Sequence, residues 1–185
     1  MMLYGDLEVS ETVAAAAGRV EMIVMDVDGV LTDGCTYQLD NGEQFLRFSV
    51  QDAMGLTLCG VAGIGLAVIS GRDVPAARIR MSRFPVAEMH FGCVHKIPVL
   101  EAIIDRQGIS PERMAYIGDD LIDLPLMTRV GLPVAVANAM PEVAAAALYC
   151  TRKAGGQGAV RELIDLVLKA RGVYQETVDE YLRRH

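Results

Sequence analysis

Short apolar runs separated by amphipathic stretches set the pattern of this chain. Mainly apolar strand candidates occur at 22–25 (MIVM), 65–70 (GLAVIS), 87–91 (AEMHF), 114–118 (MAYIG) and 133–137 (PVAVA). Runs this short, apolar at successive rather than alternate positions, suit strands buried on both faces of a parallel sheet. Between them the spacing turns helical, near 53–62, 74–84, 96–107, 121–130 and 140–147, with a last helix near 158–171. Strands alternating with helices imply right-handed βαβ units. The expected fold is a Rossmann-like, three-layer α/β/α arrangement around a mostly parallel sheet. Within it, "ISPER" (109–113) reads as a helix start, with Ser110 as N-cap and Pro111 at the first helical position.

One segment breaks the alternation. "TYQLDNGEQFLRFSV" (36–50) reads as two strands around the turn signal Asp-Asn-Gly. It is too small for a domain, so it is expected to form a hairpin flap, about 35–50, beside any site. No long linker, low-complexity tract or repeat divides the chain, and residues 1–185 are expected to form one domain ending in a charged tail, about 173–185.

Composition narrows the function classes. The chain is 52% hydrophobic, yet no apolar run approaches the roughly 20 residues of a membrane span. Its start lacks a basic segment and carries acids, so it does not read as a signal peptide. A net charge of −7 and few aromatics argue against nucleic acid as a partner. An anionic small substrate stays open, because a pocket's local field outweighs net charge. Cys35, Cys59, Cys93 and Cys150 are widely spaced, the pattern of free thiols in a reducing cytoplasm. His90, His95 and His185 show no zinc-ligand spacing.

The candidate chemistry lies at the strand ends, where open α/β sheets bind ligands. The first strand runs into "DVDGVLTDG" (26–34), which carries Asp26, Asp28 and Asp33. The second ends at Ser70 in "ISGR", the third is followed by Lys96, and the fourth ends at Asp119 and Asp120 in "GDD". Carboxylates gathered at one edge repel unless a cation sits among them, and oxygen ligands without His or Cys suit Mg²⁺. A lysine and a hydroxyl suit phosphate oxygens, and a carboxylate can serve as a nucleophile. Each element alone has an ordinary reading as a turn or a solvated residue. Their order and spacing together point to a phosphoryl site.

"DVDGVLTDG", "ISGR", Lys96 and "GDDLIDLPLM" (118–127) resemble the four motifs of haloacid dehalogenase-like phosphatases. The hairpin in place of a cap domain, "VGLPVAVANA" and "GGQGAVRELIDLVL" are similar to the capless branch acting on 3-deoxy-D-manno-octulosonate 8-phosphate. The likeness covers roughly 20–172. It implies Asp26 as nucleophile and Asp28 as general acid and base. It also implies Mg²⁺ held by Asp26, the backbone carbonyl of Asp28 and Asp119. Ser70, Gly71 and Lys96 would bind phosphate, and Arg72 and Arg80 the rest of the substrate. Asp120 would support the metal or orient the lysine, Asp123 would lie behind the ligands, and Asp33 would fix the loop. The implied enzyme is a cytoplasmic homotetramer whose hairpin arms close neighbouring sites. The related alternative substrate is a nonulosonate 9-phosphate. A further alternative is a non-catalytic oligomerisation module associated with a cytidylyltransferase.

Some positions depart from the family pattern. Ala53 follows Asp52 where glycine is usual, Asn138 stands where aspartate is usual, and His95 precedes Lys96. A glycine of positive φ at 53 would be replaced at a cost. The glycine-rich "AGGQGAVRE" (154–162) reads either as an element approaching a neighbouring site or as a loop entering a helix.

Overall fold

The computed structural model describes residues 1–4 and 7–184. Chain order gives β1 (Met2–Tyr4), β2 (Leu7–Val9), α1 (Glu11–Ala17), β3 (Met22–Met25), β4 (Tyr37–Gln38), β5 (Gln44–Phe45), α2 (Val50–Val61), β6 (Gly65–Ile69), α3 (Pro75–Met81) and β7 (Glu88–His90). It continues with α4 (Ile97–Gln107), β8 (Met114–Gly118), α5 (Leu124–Met127), β9 (Leu132–Ala135), α6 (Pro141–Ala146), β10 (Tyr149–Cys150), α7 (Ala159–Ala170) and α8 (Tyr174–Arg184). The central sheet runs β10-β9-β8-β3-β6-β7, and every pairing in it is parallel.

The apolar runs explain this arrangement. Ile23 and Met25 of β3, with Leu66 and Val68 of β6, face the layer holding α1, α2 and α7. Met22 and Val24, with Ala67 and Ile69, face the layer of α4, α5 and α6. Both faces are covered, so successive positions are apolar. The chain leaves β3 toward β6 and later returns on its other side with β8. That switch point opens a crevice at the carboxyl ends of the strands.

The five expected strands form within one or two residues of their expected bounds. β1, β2, α1 and β10 add elements that no run of the pattern marked. The hairpin forms with shorter strands than expected, its Tyr37 and Phe45 rings stacked at 4.8 Å. "ISPER" makes only a 3-10 turn at Pro111–Arg113, and Ser110 gives no side-chain cap. The stretch at 121–130 splits into a 3-10 turn, Leu121–Asp123, and the one-turn α5. The charged tail is a helix, α8, whose Tyr174 and Tyr181 pack against the core beside buried Thr177. His185 lies outside the described residues. Ala53 sits inside α2, and no described residue other than glycine has positive φ, so the departure at 53 carries no backbone cost.

Candidate active site

A cavity of about 410 Å³ opens at the switch point. Asp26, Asp28, Gly34, Gly71, Arg72, Val94, Lys96, Asp119, Asp120 and Ile122 line it. The Asp26 amide still pairs with Ile117 of β8, so this carboxylate stands on the rigid end of the sheet. Beyond it the chain turns tightly. The Thr32 hydroxyl accepts from Gly29 N (3.2 Å) and Gly34 N (3.3 Å) and donates to the Val27 carbonyl. Gly29 has φ 84°, and a Cβ there would stand 2.0 Å from Asp119 Oδ2. Only glycine lets this loop and that carboxylate approach so closely. Asp33 accepts from the Cys35 amide and from the Tyr37 hydroxyl at 2.7 Å, tying the loop to the hairpin as expected.

Lys96 is the hub. It stands at the start of α4, is buried, and its Nζ donates to Asp26 Oδ1 (2.8 Å) and Asp123 Oδ1 (2.7 Å). Asp123 is wholly buried. Its Oδ1 also accepts from the Tyr116 hydroxyl (2.6 Å), and its Oδ2 from the amides of Asp119 (2.9 Å) and Asp120 (3.3 Å). The lysine is therefore oriented by Asp26 and Asp123. Asp120, expected to support the metal or orient the lysine, instead caps the Leu121–Asp123 turn through Leu121 N at 2.7 Å and lines the cavity rim.

The charges do not balance. Asp26, Asp119 and Asp123 bring carboxylate oxygens within 4.8 Å of one another, against the one ammonium of Lys96. Two negative charges remain, the complement of one divalent cation. Burial pushes the Asp26 carboxyl up to about 6, opposed by Lys96 and aided by Asp123. Burial, then the charges of Asp26 and Asp123, push Asp119 up to about 7. Burial disfavours the Lys96 ammonium, but the two carboxylates outweigh it and raise its pKa. Asp119 Oδ1 is buried and has no hydrogen-bond partner among the described residues. A buried, unpaired carboxylate oxygen is costly unless a cation takes it. All four acceptor positions of Asp123 are already in use, so it is not a ligand despite its proximity. The oxygens of Asp26 and Asp119 and the nearby Asp28 carbonyl, to which no described backbone amide donates, fit a hard cation such as Mg²⁺.

The other expected residues divide. Gly71 and Arg72 line the cavity, while Ser70 is buried behind them, its Oγ accepting from Arg72 N at 3.2 Å. Arg72 Nη1 donates to Asp28 Oδ1 at 2.8 Å, and its other terminal nitrogen reaches Gln44 of the hairpin at 3.5 Å. Arg80 does not join them. Its guanidinium lies over the rings of Phe84 (5.0 Å) and Phe48 (6.0 Å), outside this cavity. Tyr116, Thr32 and Gly29 were not singled out from sequence. Tyr116 carried the one available signal, a hydroxyl inside an otherwise apolar strand next to "GDD". The glycine-rich loop packs against the opening loop of its own chain: Gly156 N donates to Val30 O at 2.9 Å. Asn138 Oδ1 accepts from Gly155 N at 2.9 Å, so an amide oxygen serves at that departure.

A parallel sheet with an aspartate pair at the switch point, a buried lysine and an acidic turn after the fourth core strand define a phosphoryl-transfer hydrolase of known type. The chain belongs to the haloacid dehalogenase-like hydrolase family, whose model matches residues 63–163. It is 41% identical over 168 residues to the 3-deoxy-D-manno-octulosonate 8-phosphate phosphatase KdsC of Escherichia coli (strain K12), covering 91% of this chain and 89% of that one. The crystal structure of 3-deoxy-D-manno-octulosonate 8-phosphate phosphatase from Yersinia pestis superposes with a TM-score of 0.89 at 37% identity, over 90% of each chain. The same phosphatase from Moraxella catarrhalis, in complex with magnesium ion, phosphate ion and KDO, superposes with a TM-score of 0.90 at 32% identity, over 94% of this chain and 99% of that one.

Proposed function

We propose that the chain is a Mg²⁺-dependent phosphatase that hydrolyses 3-deoxy-D-manno-octulosonate 8-phosphate to the free sugar acid and phosphate. The observation that carries this reading is Lys96, clamped between Asp26 and Asp123, beside an Asp119 oxygen that has no hydrogen-bond partner among the described residues. When bound, Mg²⁺ neutralises the phosphoryl oxygens and draws them toward the carboxylates. Asp26 attacks phosphorus: its oxygen forms the new P–O bond as the ester P–O bond breaks. Asp28 gives its proton to the departing sugar alkoxide. Asp28 then takes a proton from water, the water oxygen attacks phosphorus, and the aspartyl P–O bond breaks to release phosphate and restore Asp26. Lys96, Ser70 and the Gly71 backbone hold the phosphoryl oxygens, and Arg72 takes the substrate carboxylate. Because Arg72 pairs with Asp28 in the structure, it must turn away before Asp28 can act. Exposed Leu39 and Phe45 on the hairpin support a homotetramer in which such arms meet. Four free thiols support a cytoplasmic setting, and no helix among the described residues is long and apolar enough to cross a membrane.

The test compares phosphate release from the eight-carbon and nine-carbon sugar-acid phosphates, with Mg²⁺ and with chelator, for wild type and Asp26→Asn. The reading expects Mg²⁺-dependent preference for the eight-carbon ester and no turnover by the folded variant. Preference for the nine-carbon ester would replace the substrate. A folded wild type releasing no phosphate from either would overturn the enzymatic reading in favour of an assembly module.

A further inference from the structure

We propose that Asp52, which does not line the cavity, is a positioning residue for the cation-binding loop and acts through the glycine segment 155–158. Asp52 is 2% exposed and stands in the first turn of α2. Its carboxylate serves a different helix. Oδ1 accepts from Arg161 N at 2.8 Å and Oδ2 from Gly158 N at 3.3 Å, both at the start of α7. Gly158, at the N-cap position of α7 with φ 103°, has no side chain to cap it. The negative end that this helix start favours is therefore supplied across the fold by Asp52.

What α7 carries in front of it gives the contact its consequence. A Cβ at Gly155 would stand 1.6 Å from the Gly29 carbonyl oxygen, and one at Gly156 would stand 2.6 Å from Asp33 N. Gly156 N also donates to Val30 O at 2.9 Å. The segment thus lies directly under the loop that presents the Asp28 carbonyl and Gly29. Gly29 in turn is the surface on which the Asp119 carboxylate rests. The path runs from the Asp52 carboxylate to the Gly158 amide, along the chain to Gly155, across to the Gly29 carbonyl, and from Gly29 to the Asp119 carboxylate and the adjacent Asp28 carbonyl, two of the three oxygen donors. α2 begins directly after the hairpin, with Ser49 capping it through the amides of Gln51 and Asp52. The hairpin arm and the cation-binding loop consequently share one anchor. Contacts behind a ligand shell of this kind set the ligands' spacing, and hence the affinity of the site.

This inference rests on the Mg²⁺ site proposed above, and its test reads the cation without substrate. Calorimetric titration with Mg²⁺ and Mn²⁺, and amide hydrogen exchange at 29–34, are measured for wild type, Asp52→Asn, Asp52→Ala and Gly155→Ala. The expected result is cation affinity weakened by about tenfold or more in each variant, with faster exchange at 29–34. Ile103→Ala, a core change in α4 on the other face of the sheet, is expected to lower thermal stability and leave cation affinity as in wild type. If Asp52→Ala does not fold, Asp52→Asn, which keeps one acceptor oxygen, decides the matter. Asp52 variants that lose stability but bind Mg²⁺ like wild type would overturn the proposal, as would Ile103→Ala weakening the cation equally. Wild type that binds Mg²⁺ but releases no phosphate would overturn the phosphatase reading and leave this one standing.

Discussion

Replacing Asp123 with asparagine removes one charge and no volume, and it should be among the most damaging conservative changes in the molecule. Each carboxylate oxygen of Asp123 receives two donors: Lys96 and Tyr116 on one, the amides of Asp119 and Asp120 on the other. An asparagine has one acceptor oxygen, so whichever way it turns, its NH₂ group confronts two donors. Hydrogen bonds to a charged group contribute about 1.5–3 kcal/mol each, so losing two costs about 3–6 kcal/mol. Removing one partner of a buried ion pair costs about 3–5 kcal/mol, which agrees. Relief of the repulsion that Asp123 exerts on Asp26 and Asp119 works in the other direction and favours the lower end, about 3 kcal/mol. At about 2–4 °C per kcal/mol for a chain of this length, the melting temperature should fall by roughly 6–12 °C. Urea titration would show a lower midpoint at an unchanged slope. Lys96 would lose one of its two carboxylate partners, and kcat/KM should fall by about 10- to 100-fold. A loss below about 1 kcal/mol, or kcat/KM within about threefold of wild type, would refute the claim that Asp123 holds the lysine.

Two further outcomes follow from the charges of the site. Asp26 and Asp119 have folded pKa values of about 6 and about 7, against an ordinary 3.8, so the metal-free folded protein keeps protons that the unfolded chain has lost. Its stability should therefore fall as pH rises from about 4 to 7, Mg²⁺ should restore it above that range, and Mg²⁺ binding at pH 6 should release protons. Calorimetry in buffers of different ionisation enthalpy measures the release, and none at pH 6 would refute the coupling. Arg72→Ala should raise KM for the sugar-acid phosphate by about tenfold or more and impair p-nitrophenyl phosphate, which has no carboxylate, far less. Equal losses on the two substrates, measured side by side, would remove Arg72 from carboxylate recognition.

The hairpin and the tail show where linear patterns lose information. Asp-Asn-Gly marked the turn, but the paired strands span only two residues each, because little of the arm's apolar surface is covered within one chain. The tail is so polar that it reads as solvated. Yet Tyr174, Thr177 and Tyr181, at helical spacing, suffice to lay it on the core as α8. Arg80 sits one helical segment beyond "ISGR", but packing over Phe84 turns it away from the cavity.

The sequence by itself determined the parallel sheet, the order of its strands along the chain and the edge at which Asp26, Ser70, Lys96 and Asp119 meet. Burial on both faces demands unbroken apolar runs, and each run ends where polar chemistry begins. The tertiary structure alone decided the division of labour among the acids. Asp123 and Asp120 are three residues apart in one acidic turn, yet the first is wholly buried and grips Lys96 while the second caps the turn at the cavity rim. Asp52 looks like an ordinary helix acid until α7 is placed against it. The role of a carboxylate depends on which donors reach each of its oxygens, and the deciding ones, Lys96 for Asp123 and the start of α7 for Asp52, come from elements tens of residues away in the chain.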